Sequence, residues 1–161
     1  MQLSQGVEWA LHCCTLLGVA PGLTLSGRRL AEFHGVPEAY LAKHLQSLSR
    51  AGIVESLPGA RGGYRLARAP RDISVLDVVE AIDGRGSTFH CTEIRQRGPA
   101  KLPRTKYPKP CGIHALMDRA DAAWRAELAS ASIADLVMSV ARDAHPDGLA
   151  KGAKWLTSAM R

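Results

Sequence analysis

The sequence predicts a mainly α-helical chain with a small β-wing: a winged helix-turn-helix followed by a long helix suited to pack against another helix. Three observations predict it. Two short amphipathic segments flank His34-Gly35-Val36, a glycine-bearing turn typical of a helix-turn-helix. Two alternating runs, Ile53 to Leu57 and Tyr64 to Leu66, are joined by Pro58-Gly59-Ala60-Arg61-Gly62-Gly63, a flexible hairpin tip. Ile113, Leu116, Met117, Ala120, Ala123, Trp124 and Leu128 form an alanine-rich apolar stripe at helical spacing.

Each element has its own signals. Leu3, Val7, Leu11, Cys14 and Leu17 predict an amphipathic helix from about Leu3 to Val19, ended by Pro21 and Gly22. Ser26 is the N-cap of the next helix, which carries Leu30, Ala31 and Phe33 and stops at Gly35. Pro37 suits the first turn of the recognition helix, with Tyr40, Leu41, Leu45 and Leu48 before the stop at Gly52. Ser74 caps a helix through Ile82 that ends at Asp83-Gly84. No periodicity follows from Arg85 to Pro110, where prolines stand at 99, 103, 108 and 110, and a loop of that length is uncommon unless it is functional or disordered. The alanine-rich helix comes next, then a helix capped by Ser132 through Val140 and a small segment around Trp155 and Leu156. The chain thus divides into a winged-helix domain (1–84), a ligand-bearing loop (85–111) and a helical C-terminal part (112–161).

The charge of +6, from 21 basic and 15 acidic residues, suggests a polyanionic partner. The opening run is broken by Glu8 and His12 and has no basic start, so it is not read as a signal peptide, and no apolar stretch reaches the roughly 18 residues of a membrane span. Four cysteines, two of them adjacent, fit a reducing cytoplasm better than a disulfide framework. No catalytic triad or phosphate loop accompanies them, which argues against an enzyme or small electron-transfer protein.

From Ser26 to Asp72 eight basic residues face four acidic ones. In a winged helix the early residues of the second helix meet base edges, so Glu38, Ala39, Tyr40, Lys43 and His44 are the candidates for reading double-stranded DNA. Arg61 at the wing tip suits a narrow minor groove. Lys43, Arg50 and Arg65 are placed to hold phosphates, and Arg28 is a further DNA-binding candidate.

A metal centre is the second expectation. Cys91 and Cys111 bracket a segment with six basic residues and one acid, Glu93, a field that favours the thiolates soft metals bind. Two thiolates do not close a four-ligand site. Glu8 and His12 are one helical turn apart, off the apolar stripe, and are able to complete the set. His114, three residues after Cys111, is a competing ligand, and Cys13 and Cys14 read as core.

With these residues in hand, the chain resembles the IscR/NsrR-type winged-helix iron-sulfur transcriptional regulators. The resemblance is carried by Leu3-Ser4, Tyr40-Leu41, Gly62-Gly63-Tyr64-Arg65-Leu66, Asp77-Val78-Val79, Ala81-Ile82-Asp83-Gly84, Cys91, Cys111-Gly-Ile-His114 and Ile133-Ala134-Asp135-Leu136. Such proteins carry three closely spaced cysteines in the loop, whereas here only Cys91 and Cys111 remain. Gly6-Val7-Glu8-Trp9-Ala10-Leu11-His12-Cys13-Cys14 and the run from Cys91 to Pro99 are closer to the RsrR-like redox-sensing branch. That resemblance implies a homodimer built on the long helix from Gly112 to Ala131. It also implies a [2Fe-2S] cluster with Cys91 and Cys111 from one subunit and Glu8 and His12 from the other, and Trp9 nearby as a relay of its redox state. A nitric oxide or iron-status sensor acting by cluster loss is the alternative signal.

Overall fold

The computed structural model describes residues 3–59, 62–87 and 89–160. Its elements are α1 (Gln5–Leu17), α2 (Gly27–His34), α3 (Glu38–Arg50), β1 (Val54–Leu57), β2 (Gly63–Leu66), α4 (Val75–Asp83), α5 (Gly112–Ser130), α6 (Ile133–Asp143) and α7 (Pro146–Ala159). Short 3-10 turns occupy Pro70–Asp72, Ile94–Gln96 and Arg104–Lys106. This is the winged helix-turn-helix with a long appended helix that the sequence predicts.

The apolar side of α1 does most to build the core. Val7, Ala10, Cys13, Cys14, Leu16 and Leu17 are buried along it, while Glu8 and His12 on its other side are exposed. Around it gather Leu30 of α2, Leu41, Leu45 and Leu48 of α3, Val78 of α4 and Ile133 of α6, all fully buried. The helix-turn-helix is set by two local devices. Ser26 Oγ accepts from Arg29 N at 3.2 Å to start α2, and Gly35 ends it with φ 64°, a left-handed conformation that side chains with a Cβ rarely adopt. Pro37 sits one position earlier than expected, at the N-cap of α3 with ψ 123°. Its carbonyl accepts from Leu41 N at 3.1 Å, so the proline serves as the last extended residue rather than the first helical one.

β1 and β2 pair antiparallel, with Val54 opposite Leu66 and Glu55 opposite Arg65. Tyr64 also exchanges backbone hydrogen bonds with Leu25, at 2.8 and 3.1 Å, which ties the wing back to the approach to α2. Two capping boxes lie side by side where α4 and α6 begin. Ser74 and Asp77 cap one helix and Ser132 and Asp135 the other. The two starts are joined by Val75 N to Ala131 O at 2.8 Å and Ile133 N to Ile73 O at 2.9 Å.

The chain end differs from expectation. Instead of a small segment, α7 is a 14-residue helix begun by Pro146, and its Trp155, Leu156 and Ala159 rest on the core. Glycines at 148 and 152 and several alanines dilute its apolar period in the sequence, and tertiary packing supports it: the Phe33 and Trp155 rings meet at 4.9 Å. Among the described residues no helix is long and apolar enough to cross a membrane.

Gly6 lets the His44 ring of α3 sit against α1, because that ring fills the space that a Cβ on residue 6 would need. Gly6→Ala is therefore expected to lower stability by about 1–3 kcal/mol through overpacking. In a His44→Ala background the same change should be neutral or stabilising, since alanine favours a helix over glycine by about 1 kcal/mol. Urea denaturation of the two pairs checks this; equal losses in both backgrounds would show that the ring is not the reason.

Candidate metal-ligating and nucleic-acid-binding sites

Three of the sequence-predicted site residues share one face of α1. Glu8, Trp9 and His12 border a depression completed by Phe33, His34 and Val36 at the end of α2. Trp9 presents its ring edge-on to His44 of α3, with centroids 6.0 Å apart and planes at 82°. His12 stands 5.6 Å from the ring of His34. His34 was not singled out by the sequence, which shows it only as a turn residue far from His12. It is half-buried between Phe33 and His12, and its Nε2 has no hydrogen-bond partner among the described residues. Burial, with the neighbouring His12 adding to it, pulls its pKa down to about 4.

The cysteine pair belongs to a different part of the molecule. Cys91 borders an open cavity with Thr92, Glu93, Gln96, Arg104, Tyr107 and His114, and Cys111 is the N-cap residue of α5. Both thiols are partly exposed. His114 lies in the first turn of α5, where its Nε2 is 3.3 Å from Asp118 Oδ2 and its Nδ1 is buried without a partner among the described residues. The other two cysteines are buried core residues: burial pushes the Cys13 thiol up to about 12 and that of Cys14 higher still. Among the described residues no three His, Cys, Asp or Glu side chains gather into a metal-holding group, so Glu8 and His12 do not join the cysteines within one chain.

The loop between Cys91 and Cys111 is more ordered than its composition suggests. Glu93 has φ 49° and ψ 54° and holds Arg95 through both carboxylate oxygens. That hydrogen-bonded guanidinium keeps the Glu93 carboxyl below the usual carboxylate range. Arg95 also lies 4.7 Å over the Tyr107 ring. The sequence shows these residues only as part of a basic, proline-broken run.

On the DNA-reading side, Glu38, Tyr40, Lys43 and Arg50 are exposed on α3, Tyr40 at 69%, and Arg28 is exposed in the first turn of α2. His44, expected to face bases with them, is turned inward against Trp9 and Gly6. Arg65 Nε lies 2.5 Å from Glu55, its cross-strand partner, so one carboxylate already answers its charge. Arg61 lies outside the described residues. Arg68, not singled out by the sequence, braces the base of the wing by donating to the carbonyls of Gly52 at 3.3 Å and Asp72 at 3.0 Å.

Comparison with known proteins decides the class. The Rrf2 family model, described as an iron-dependent transcriptional regulator, matches residues 3–139. The chain belongs to the Rrf2 family. The HTH-type transcriptional regulator NsrR of Shouchella clausii is 25% identical over 140 residues, 86% of this chain and 90% of that one. The Bacillus subtilis protein YwgB is 36% identical over 90 residues, a stretch that covers 55% of this chain and 58% of that relative. Among solved structures, T. potens IscR superposes with a TM-score of 0.67 at 24% identity, covering 92% of this chain and 96% of that one. CymR, the global cysteine regulator of B. subtilis, gives 0.65 at 24% identity over 86% of this chain and 97% of that one. The Rrf2 relatives are transcriptional regulators rather than enzymes, and the IscR/NsrR kind read from the residues is the kind found. As a member of this family the chain is a DNA-binding transcriptional regulator.

The low pKa of His34 has a signed consequence for the metal-free Rrf2 chain. Unfolded His34 takes up a proton near pH 6.5 and folded His34 only near about 4, so stability is full above 6.5 and declines as the pH falls toward 4. Denaturation midpoints across that range should fall in the parent chain and fall less in His34→Gln; parallel profiles would remove His34 as the cause.

Proposed function

We propose that this Rrf2-family regulator senses redox state through a [2Fe-2S] cluster shared by a homodimer, with Cys91 and Cys111 from one subunit and Glu8 and His12 from the other. The observation that carries the reading is the edge contact of Trp9 with His44: the helix bearing Glu8 and His12 touches the recognition helix directly. The donor set fits. Two partly exposed thiols lie in a basic loop, and a carboxylate and an imidazole point away from the core on one helical turn, so each half-set is open to a second chain. His114 is less suited than His12, because Asp118 takes its Nε2.

A dimer on α5 is supported by an apolar stripe that one chain leaves bare. Ile113 is 65% exposed and Leu116 56%, while Trp124 and Leu128, further along the same helix, are covered by α4. Division of labour then follows the sequence segments: 1–84 reads DNA, 85–111 carries the thiol ligands, and 112–161 joins the subunits. When bound, the cluster supplies a one-electron couple whose potential a neutral imidazole ligand raises, as in Rieske centres.

The protein's own residues do the rest. Any shift of Glu8 or His12 moves α1, and α1 cannot move without pressing on His44 through Trp9 and Gly6. His44 so links the sensor helix to the reading helix, Glu38 and Tyr40 meet base edges, Lys43, Arg50 and Arg65 hold phosphates, Arg28 is a further DNA contact, and Arg61 is assigned to the minor groove. Two heads tied at one interface read half-sites at a fixed spacing, so a change in their placement alters affinity. The chain acts in the cytoplasm, on double-stranded DNA and without a membrane partner.

The test is a titration of anaerobically prepared holo-protein, oxidised and then reduced, against a duplex selected from a random-sequence pool at fixed salt. A coupling of about 1–3 kcal/mol predicts affinities that differ by about 5- to 150-fold; equal affinities would refute redox control. Cys91→Ala and His12→Ala should bleach the visible absorption, and a coloured His12→Ala beside a colourless His114→Ala would transfer that ligand. Colour lost on exposure to nitric oxide, with DNA affinity following the loss and not the reduction, would move the signal to cluster destruction. Lys43→Ala should weaken binding across sequences and reduce the salt slope by about 1.

A further inference from the structure

Nineteen residues separate Cys91 from Cys111, and bringing the ends of such a segment together has an entropic cost unless something within it closes the loop. Regular structure supplies only the turns Ile94–Gln96 and Arg104–Lys106. One side chain does the closing. The Arg95 guanidinium donates from Nε and a terminal nitrogen to the two carboxylate oxygens of Glu93, the residue two past Cys91. The same terminal nitrogen donates at 3.3 Å to the carbonyl of Lys109, the residue two short of Cys111. Its face covers the Tyr107 ring, and the Tyr107 hydroxyl returns a hydrogen bond to the Arg95 carbonyl at 2.9 Å. Glu93 stands at φ 49°, a backbone region disfavoured for residues with a Cβ, and its bidentate hold on Arg95 keeps it there.

We infer that Arg95 is a positioning residue for the cysteine ligands: through Glu93, Tyr107 and Lys109 it holds the two ends of the loop together so that Cys91 and Cys111 are presented as a pair before any metal arrives. The inference rests on the reading that these two thiols ligate the cluster. Its chemistry is specific to arginine. A lysine keeps the charge but has neither the planar fork that meets a carboxylate twice nor the flat surface that stacks on tyrosine.

The test uses Arg95→Ala, Arg95→Lys and, as a neighbour whose side chain donates to Thr92 O at 3.4 Å and to no other partner among the described residues, Arg97→Ala. In the first arm the anaerobic holo-protein is challenged with EDTA and the visible absorption followed. Both Arg95 variants should lose iron at an EDTA concentration about 10- to 100-fold below that needed by the parent and Arg97→Ala, the size typical of residues that orient metal ligands. In the second arm the cluster-free full-length protein is titrated with phenylarsine oxide, which binds two thiols held close together. Cys13 and Cys14 are fully buried and do not compete. Both Arg95 variants should bind it about tenfold more weakly, at unchanged melting temperature because the loop lies outside the core. Parent-like behaviour of either Arg95 variant in both arms, or a fall in melting temperature that accounts for the losses, overturns the inference. A parent protein that holds no cluster but keeps the arsenical difference overturns the cluster reading and leaves the role of Arg95 standing.

Discussion

The seating of α1 against α3, with the His44 ring let in by Gly6 and met by Trp9, is the contact on which the fold depends and through which the proposed signal would reach the recognition helix. An amphipathic helix has one buried side, and here that side holds the centre of the core. The opposite side is then fixed in place to within the tolerance of close packing, and it is there that Glu8 and His12 stand. A ligand-bearing turn on a loop would yield to a change in its ligands; on this helix the same change has to be passed on. With Glu8 and His12 as the proposed ligands, sensing and reading would need no separate transmitting element.

Much of this was legible in the residues. Ser26, Gly35, Ser74 and Ser132 mark helix ends by local hydrogen bonding, and the structure uses each of them as the sequence indicates. Local chemistry is enough for such devices, because a cap involves residues only two or three apart. The wing could be read for the same reason, from its alternation and its glycines. The pairing of Glu55 with Arg65 could be read only once the register was known, since it depends on which residues stand opposite one another.

What escaped the sequence depends on long-range contact. His44 has the same polar character as Lys43 beside it, yet one position of rotation turns it into the α1 contact. His34 and His12 meet only because α2 lies across α1. The extent of α7 was hidden because alanine and glycine carry almost no periodic signal, and Trp155 finds Phe33 across most of the chain length. In the loop, counting charges hid the arginine whose geometry differs from its neighbours: Arg95 is held by Glu93, Lys109 and Tyr107, while Lys101, Arg104 and Lys106 are exposed.

Glu80 has a wider bearing. Its carboxylate is only 13% exposed and is gripped by Arg125 from α5 and by Arg85 at the mouth of the loop, the latter at 2.9 Å. A screened, nearly buried acid between two guanidinium groups makes a stiff joint, so α4 and the lower half of α5 behave as one lever arm. In the proposed dimer this joint would tie the bare upper half of α5 to the base of the winged head.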